Sequence, residues 1–320
     1  MLILFFTLKL IFTTIFKLLK QLTLLLLVLH TCITYSQDIN EQIEFKIDND
    51  KFLFIDRYYT SGLFITYKKQ LENDFIFDNI EGNKLQLNLT LGNETYTPTD
   101  LSSFDSSRFD RPFAGWLYGS IEIVKIKSRS ALFLALEGGV TGDASLSGSL
   151  QQGFHDLFDL GNRPTWAEQI GFKVLFNFKL KYIYNWQLNK NNTFQIITKP
   201  SLGTKDIFVN NEVRYVFGKF NTFNETSGIG VVNSSLNNEF FGFIGLGHKY
   251  VIHNTLLQGG ITRNETTFTA SPTRNVYKLD VGSTLKIKRN TYKLVYSFNT
   301  KETKLSSSHG YGSFTYARSF

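Results

Sequence analysis

The sequence predicts an all-β protein, a transmembrane antiparallel β-barrel of about twelve strands with a short helix in an extracellular loop. The first supporting observation is regular alternation: residues 84–91 read KLQLNLTL, and similar alternation recurs along the chain. A period of two produces a strand with one apolar and one polar face.

Strand length and aromatic placement are the second and third observations. Several alternating segments exceed ten residues, which suits a tilted strand that crosses a bilayer. Aromatic residues cluster near strand ends at 116–118, 182–186 and 314–316, as in the girdles of membrane barrels. The chain ends in YGSFTYARSF, which resembles the assembly signal of outer-membrane barrels. A secreted β-sandwich is the alternative, because it also alternates.

Taken in order, the predicted strands cover 42–48, 60–70, 84–95, 114–128, 130–141, 166–186, 192–207, 212–217, 238–252, 273–288, 291–304 and 308–320. An even number of strands places both termini on the inner side of the membrane. The long outer connections are then 49–59, 96–113, 142–165 and 253–272. Segment 218–237 does not fit the expectation of short inner turns, because it is a long connection on the inner side. Either this loop is real or the eighth strand is misplaced.

Residues 1–36 are predicted to be a signal peptide, cleaved near Ser36–Gln37. The segment holds lysines, then the apolar run 22–29, then small and polar residues, which is the order of a secretory signal. Its length leaves an uncleaved anchor as an alternative, and Cys32 leaves lipidation as a weaker one. Residues 37–320 are predicted to form one barrel domain in the outer membrane of a Gram-negative bacterium.

Composition narrows the classes of partner. The net charge is +7 and 15% of residues are aromatic. Basic charge with this aromatic content fits an anionic membrane surface at least as well as nucleic acid. The single cysteine excludes an intramolecular disulfide framework.

Three of the long outer loops carry candidate site residues. A helix is predicted in SLSGSLQQGFHDLFDLGN, where Gln151 and His155 lie four apart and share one face; Ser147 or Ser149 is its candidate N-cap. The other candidates are Asn49, Asp50, Asp56, Arg57 and Thr60 in the first loop and its flanks, and Arg108, Asp110 and Arg111 in the second.

These residue types suggest hydrolysis. A histidine can act as a general base near neutral pH, and Asp50 with neighbouring oxygens suits calcium, which polarises an ester carbonyl. No GxSxG motif is present, so a serine nucleophile is disfavoured, with Ser61 as the remaining candidate. The simpler interpretations are a structural loop histidine, an Asn-Asp turn and solvated arginines. His248, His253 and His309 are assigned to strand ends without partners.

The motifs NDKF…DRYYTSG, DRPFAGWLY and LEGGVTG…GSLQQGFHDLF…PTWAEQ together resemble the outer-membrane lipid A 3'-O-deacylase family. This resemblance implies a twelve-stranded barrel whose site lies between the wall and a loop helix. It also implies a histidine that activates water and a calcium ion that helps to stabilise the oxyanion. Residue by residue, it assigns catalytic roles to His155, Gln151, Asn49, Asp50 and Thr60, with calcium nearest to Asp50 and Thr60.

The expected substrate is therefore an ester-linked acyl chain of lipid A, and the expected state is a monomer that binds no nucleic acid. Arg108 and Arg111 are expected to contact the lipid's phosphates. Residues 96–113 contain no lysine, so whether one of these arginines replaces a lysine that the family carries in this loop is left open. The alternatives are an outer-membrane phospholipase and a non-catalytic barrel, either a channel or a binding protein.

Overall fold

Twelve antiparallel strands close into a barrel in which each strand pairs with its chain neighbours and β1 pairs with β12. The computed structural model describes residues 39–50, 57–71, 83–158, 163–232, 235–261 and 268–320. The strands are β1 Glu41–Asn49, β2 Tyr58–Leu71, β3 Lys84–Thr97, β4 Ala114–Ile126, β5 Ser130–Val140, β6 Val174–Asn189, β7 Asn192–Gly203, β8 Asp206–Lys219, β9 Glu239–Asn254, β10 Asn275–Ile287, β11 Asn290–Asn299 and β12 His309–Ser319. The helices are α1 Ser147–Phe158 and α2 Thr255–Gln258.

The prediction of a twelve-stranded barrel with one helix after the fifth strand is confirmed. The long connections 98–113, 141–173 and 255–274 share one rim, called here the loop rim. Short turns occupy much of the opposite rim, called the turn rim. None of the helices in the described residues is long and apolar enough to span a membrane. The predicted signal peptide, 1–36, lies outside the described residues.

Two strand starts were predicted wrongly by six residues or more, and the predicted ends of the seventh strand at 207 and the eleventh at 304 lie beyond the observed ends at Gly203 and Asn299. The sixth strand begins at Val174 rather than 166, because Trp166 and Glu168 adopt left-handed φ values of 54° and 53° that interrupt an extended chain. The eighth strand begins at Asp206 rather than 212. The dipeptide Asn210–Asn211 resembles a turn, but Asn210 lines the lumen and Asn211 accepts a hydrogen bond from Thr198 at 2.9 Å.

The long inner connection is real, and it folds into the barrel. Residues 220–232 contain two short 3-10 turns. Their apolar side chains Phe223, Ile229 and Val231 pack with lumen-facing residues of β4 to β7, among them Phe133 and Ile197. This segment, called here the plug, therefore fills the lumen at the turn rim.

Polar contacts tie the plug to the other side of the lumen. Lys68 of β2 donates to the carbonyl of Gly230 at 3.1 Å, and the amide of Val232 donates to Gln86 of β3 at 2.7 Å. Glu239 of β9 accepts from Ser227 through both its amide, at 2.9 Å, and its hydroxyl, at 2.6 Å. Because these partners are spread around the ring of strands, the plug is anchored across the whole bore.

Above the plug, the lumen is charged. A cavity of about 550 Å³ lies between the plug and the loop rim. Five of its six lining lysines come from β6 to β10, and five of its six lining carboxylates come from β1 to β5, namely Glu44, Asp48, Glu94, Glu122 and Glu137. Many are paired, as in Lys179–Glu137 at 2.7 Å and Lys46–Asp48 at 2.9 Å. A lumen of this polarity holds water wherever the plug does not fill it.

We expect removal of the plug to convert a closed barrel into a pore. Replacing residues 221–231 with a Gly-Ser linker takes away the apolar cluster that fills the turn rim, while the strand pairing is kept. In planar bilayers the intact barrel should show no resolvable channel steps, and the replaced barrel should show discrete ones. A replaced barrel that folds but does not conduct would contradict this account of the plug.

Candidate active site on the outer wall

A polar patch lies on the outside of the barrel wall near the loop rim. In β3, Glu94 and Tyr96 line the lumen, so strand alternation turns Asn93, Thr95 and Thr97 outward. All three are nonetheless buried. A polar, buried stretch on the outer face of a strand means that something covers it.

The cover is the first turn of α1. The Ser147 hydroxyl donates to Asn93 Oδ1 at 3.2 Å and to the Glu94 carbonyl at 3.3 Å, and Asn93 donates its amide to the Ser145 carbonyl at 2.7 Å. Gly115, on the outward face of the neighbouring strand β4, allows this close approach. A Cβ at Gly115 would collide with the hydroxyls of Ser145 and Ser147. The helix therefore begins directly against the outer wall of β3 and β4.

One polar face of α1 is buried. Ser147, Gln151 and His155 follow each other at intervals of four, and they are 0%, 7% and 5% exposed. At 3.6 residues per turn this spacing forms one continuous stripe. Ser147 is the end of the stripe that contacts the wall, so the buried imidazole of His155 lies two helical turns further along the same face.

A returning segment of the same loop supports the helix. The indole nitrogen of Trp166 donates to Gln151 Oε1 at 2.9 Å, and Gln152 donates to the Pro164 carbonyl at 2.8 Å. Trp166 also packs on Phe113, with ring centroids 5.4 Å apart. Gln151 is thus a positioning group that fixes the helix relative to the 98–113 loop.

The candidate site residues of the β1–β2 hairpin lie at the same polar patch. In β1, Asp48 lines the lumen, so Asn49 turns outward; it lies opposite Ser61 of β2. The Asp50 amide donates to the Thr60 carbonyl at 3.2 Å, and the Thr60 and Thr97 hydroxyls lie 2.7 Å apart. Asn49, Asp50 and Thr60 are therefore brought together with Thr97, a residue that the sequence interpretation missed.

Asp50 has the surroundings of a hard cation ligand. Its carboxylate is fully buried, and Oδ2 accepts the Arg57 amide at 2.7 Å. The Asp50 amide bonds the carbonyl of Thr60, whose hydroxyl pairs with that of Thr97, and oxygen is the donor that calcium takes. In the described ranges, no three His, Cys, Asp or Glu residues come together as a metal cluster. Calcium would therefore be held by one carboxylate with hydroxyl and carbonyl oxygens, which fits this donor set in kind.

The predicted arginines have different surroundings. Arg111 is buried, lies over the Tyr96 ring at 4.5 Å and meets Glu302 at 3.4 Å, and burial lowers its pKa. It joins the 98–113 loop to the 300–308 loop. Arg108 is exposed and forms an ion pair with Asp100 at 2.6 Å. Of the two, Arg108 is the one that a head group above the rim can reach.

Half-buried Asp110 and buried His309 lie on either side of Tyr58 at the loop rim. Asp110 accepts the Tyr58 hydroxyl at 2.7 Å, and Tyr58 stacks edge-on against His309 with centroids 5.6 Å apart. His309 Nε2 lies 3.2 Å from the Tyr59 carbonyl. His309, assigned from sequence to a strand end without partners, is thus a packed residue that ties β12 to β2.

A family model described as "Outer membrane protein LpxR" matches residues 22–320. The chain belongs to the LpxR family of outer membrane proteins. This confirms the resemblance and the outer-membrane location predicted from sequence, and the barrel wall is therefore a lipid-facing surface.

The fold matches that of one solved LpxR structure. LpxR from Salmonella typhimurium superposes with a TM-score of 0.71 at 18% identity, covering 87% of this chain and 100% of that chain. The β domain of the Bordetella autotransporter BrkA gives a TM-score of 0.49 at 11% identity, covering 88% of this chain and 99% of that chain. No curated protein sequence matches this LpxR-family chain.

Any side chain at position 115 should disturb the contact between the start of α1 and the barrel wall. We expect Gly115→Val to push the start of α1 off the wall and to lower activity at least about tenfold, since misplacing a catalytic group by about 1 Å can cost about a hundredfold. Gly119→Val is the matched control, because it lies on the same outward face of β4 and its added Cβ meets nothing within 4 Å. The measurement is the rate of lipid A deacylation by the two variants in the same membranes. Equal activities would contradict the proposed contact.

Proposed function

We propose that this protein hydrolyses an ester-linked acyl chain, the 3'-acyloxyacyl group, of lipid A in the outer leaflet of the outer membrane. The observation that carries the proposal is the position of the site. Asn49, Thr60, Thr97 and the buried face of α1 lie on the lipid side of the wall. A lipid in the outer leaflet can reach such a site sideways, without leaving the membrane.

In the proposed reaction, His155 acts as general base. It takes a proton from a water molecule as the water oxygen forms a bond to the ester carbonyl carbon. The ester C–O bond then breaks, the proton passes from His155 to the leaving alkoxide, and the products are a free fatty acid and a lipid alcohol. Packing under the helix limits access of bulk water to the imidazole.

Calcium is part of the proposal as an electrophile near Asp50. When bound, it would polarise the ester carbonyl and stabilise negative charge on its oxygen. Asp50 supplies the carboxylate, with Thr60 as the neighbouring oxygen ligand. Asn49 and Gln151 are positioning groups that hold the strand end and the helix in place. Arg108 is the candidate contact for a lipid phosphate.

The barrel fold is also compatible with a channel, but the plug favours an enzyme. In the described residues the lumen is filled at the turn rim by Phe223, Ile229 and Val231, whereas the polar site is on the wall. A phospholipase on the same scaffold would use the same catalytic residues on a different lipid.

The test is mass spectrometry of lipids from cells that express the chain, compared with cells carrying an empty vector. The proposal expects lipid A that has lost one acyloxyacyl group, with intact phospholipids. Loss of acyl chains from phospholipids alone would favour the phospholipase. Unchanged lipids, with folded protein in the outer membrane and calcium supplied, would refute both.

A further inference from the structure

The exposed face of α1 is apolar, the reverse of a helix packed on a soluble core. Leu150, Phe154 and Leu157, with Leu146 just before the helix, are 44–59% exposed. In a water-soluble protein the apolar face would be the buried one. Here the buried face carries serine, glutamine and histidine. The apolar stripe, meaning these four residues, is therefore directed at something other than the barrel.

The angular position of the apolar stripe shows where it points. At about 100° per residue, the helical members of the stripe, Leu150, Phe154 and Leu157, lie roughly 180° around the helix from Gly148 and Gln152. Those two residues face the returning segment, since Gln152 donates to the Pro164 carbonyl and a Cβ at Gly148 would lie 3.1 Å from Trp166. That segment in turn joins the 98–113 loop of the rim, where the Thr165 amide donates to the Leu101 carbonyl at 2.9 Å. The stripe thus faces away from the rim loops, toward the membrane.

Depth along the wall agrees with this direction. The start of α1 contacts the wall at the level of Asn93 in β3. Asn93 is two residues along the strand from Leu91, which is outward-facing and exposed. At about 3.3 Å per residue the two levels differ by about 7 Å along the strand, and by less along the membrane normal because the strands are tilted. Leu63, Ile65, Leu89 and Ile121 continue this exposed apolar belt on β2 to β4.

We infer that the apolar stripe of α1 is immersed in the acyl chains of the outer leaflet, as a lateral extension of the barrel's lipid-facing belt. The occupant of this face is lipid, since it adjoins a surface that lipid already covers. Asp156, on the opposite flank, is exposed and paired with Arg163 at 3.5 Å, which suits the head-group side of an interfacial helix.

A consequence for catalysis follows, and it rests on the proposed function. A helix immersed to this depth holds His155 at the boundary between acyl chains and head groups, the level at which the ester bonds of a lipid lie. The stripe is thus a positioning surface, and it contributes no group to the chemistry.

Fluorescence quenching tests the immersion without reference to activity. The one natural cysteine, Cys32, is replaced by serine, and single labels are placed by Phe154→Cys on the stripe, Asp156→Cys on the opposite flank and Leu91→Cys on the belt. In vesicles containing lipids with a nitroxide on the upper part of an acyl chain, we expect the label at 154 to be quenched at least half as strongly as the label at 91. The label at 156 should be quenched far less. Equal quenching at 154 and 156 would overturn the inference.

The positioning role needs a second comparison. Leu150→Ser combined with Phe154→Ser should lower lipid A conversion in membranes about tenfold, with little change on lipid A in detergent micelles, where depth is not imposed by a bilayer. Equal losses in both media would contradict positioning. If quenching is as expected while the unaltered protein leaves lipid A intact, the immersion stands and the proposed function fails.

Discussion

We expect His155→Ala to lower the rate of lipid A deacylation by about 10²- to 10⁴-fold, the range that a general base contributes. The imidazole is buried on the helix face that begins at the wall, so alanine leaves space but no other base. The measurement is the initial rate of fatty acid release from lipid A by the purified protein.

The control for this prediction is His248→Ala. His248 belongs to β9, six strands away from β3 in the closed ring, and it bonds Asn275 at 2.9 Å. We expect its loss to leave the rate within about twofold of the unaltered protein, since surface substitutions of this kind are usually mild. A His155→Ala protein that is folded and retains more than a tenth of the activity would rule out the assigned base.

We expect Asp50→Asn to raise the calcium concentration needed for half-maximal activity by about tenfold or more, because ligand charge is a main determinant of calcium affinity. Asp50 is the one carboxylate assigned to the ion, and its side chain is fully buried. Asparagine keeps its shape and its acceptor for the Arg57 amide. Rates measured across a calcium titration, and calcium binding measured by calorimetry, report the change.

Asp143→Asn is the matched control, since Asp143 is an exposed carboxylate just before α1 that accepts from Gln169 at 2.7 Å. It should leave the calcium titration unchanged. A chelator should abolish the activity of the unaltered protein, and added calcium should restore it. An Asp50→Asn protein with unaltered calcium dependence would show that the ion, if required, binds elsewhere.

Part of the missed site was visible in the sequence. In β3 the outward positions read Leu85, Leu87, Leu89 and Leu91, and then Asn93, Thr95 and Thr97. A switch from apolar to polar within one face marks the place where the wall stops facing lipid. Thr97 was overlooked because it was assigned to the loop, although it is the last residue of the strand.

The strand count, the helix after the fifth strand and the Q-x-x-x-H face of that helix were determined by the sequence alone. They depend on local periodicity, which each segment carries in its own residues. The boundary errors at β6 and β8 arose where backbone conformation or lumen contacts overrode local preference.

Only the tertiary structure decided which way the helix turns and where the long inner connection goes. Burial of His155 and exposure of Phe154 depend on which face meets the wall, and that contact joins residues more than fifty positions apart, Asn93 and Ser147. The plug likewise depends on partners as distant as Gln86 and Val232. Contacts between residues so far apart produce no periodic pattern in the sequence. The residues next to one partner along the chain carry no information about which residue the other partner is.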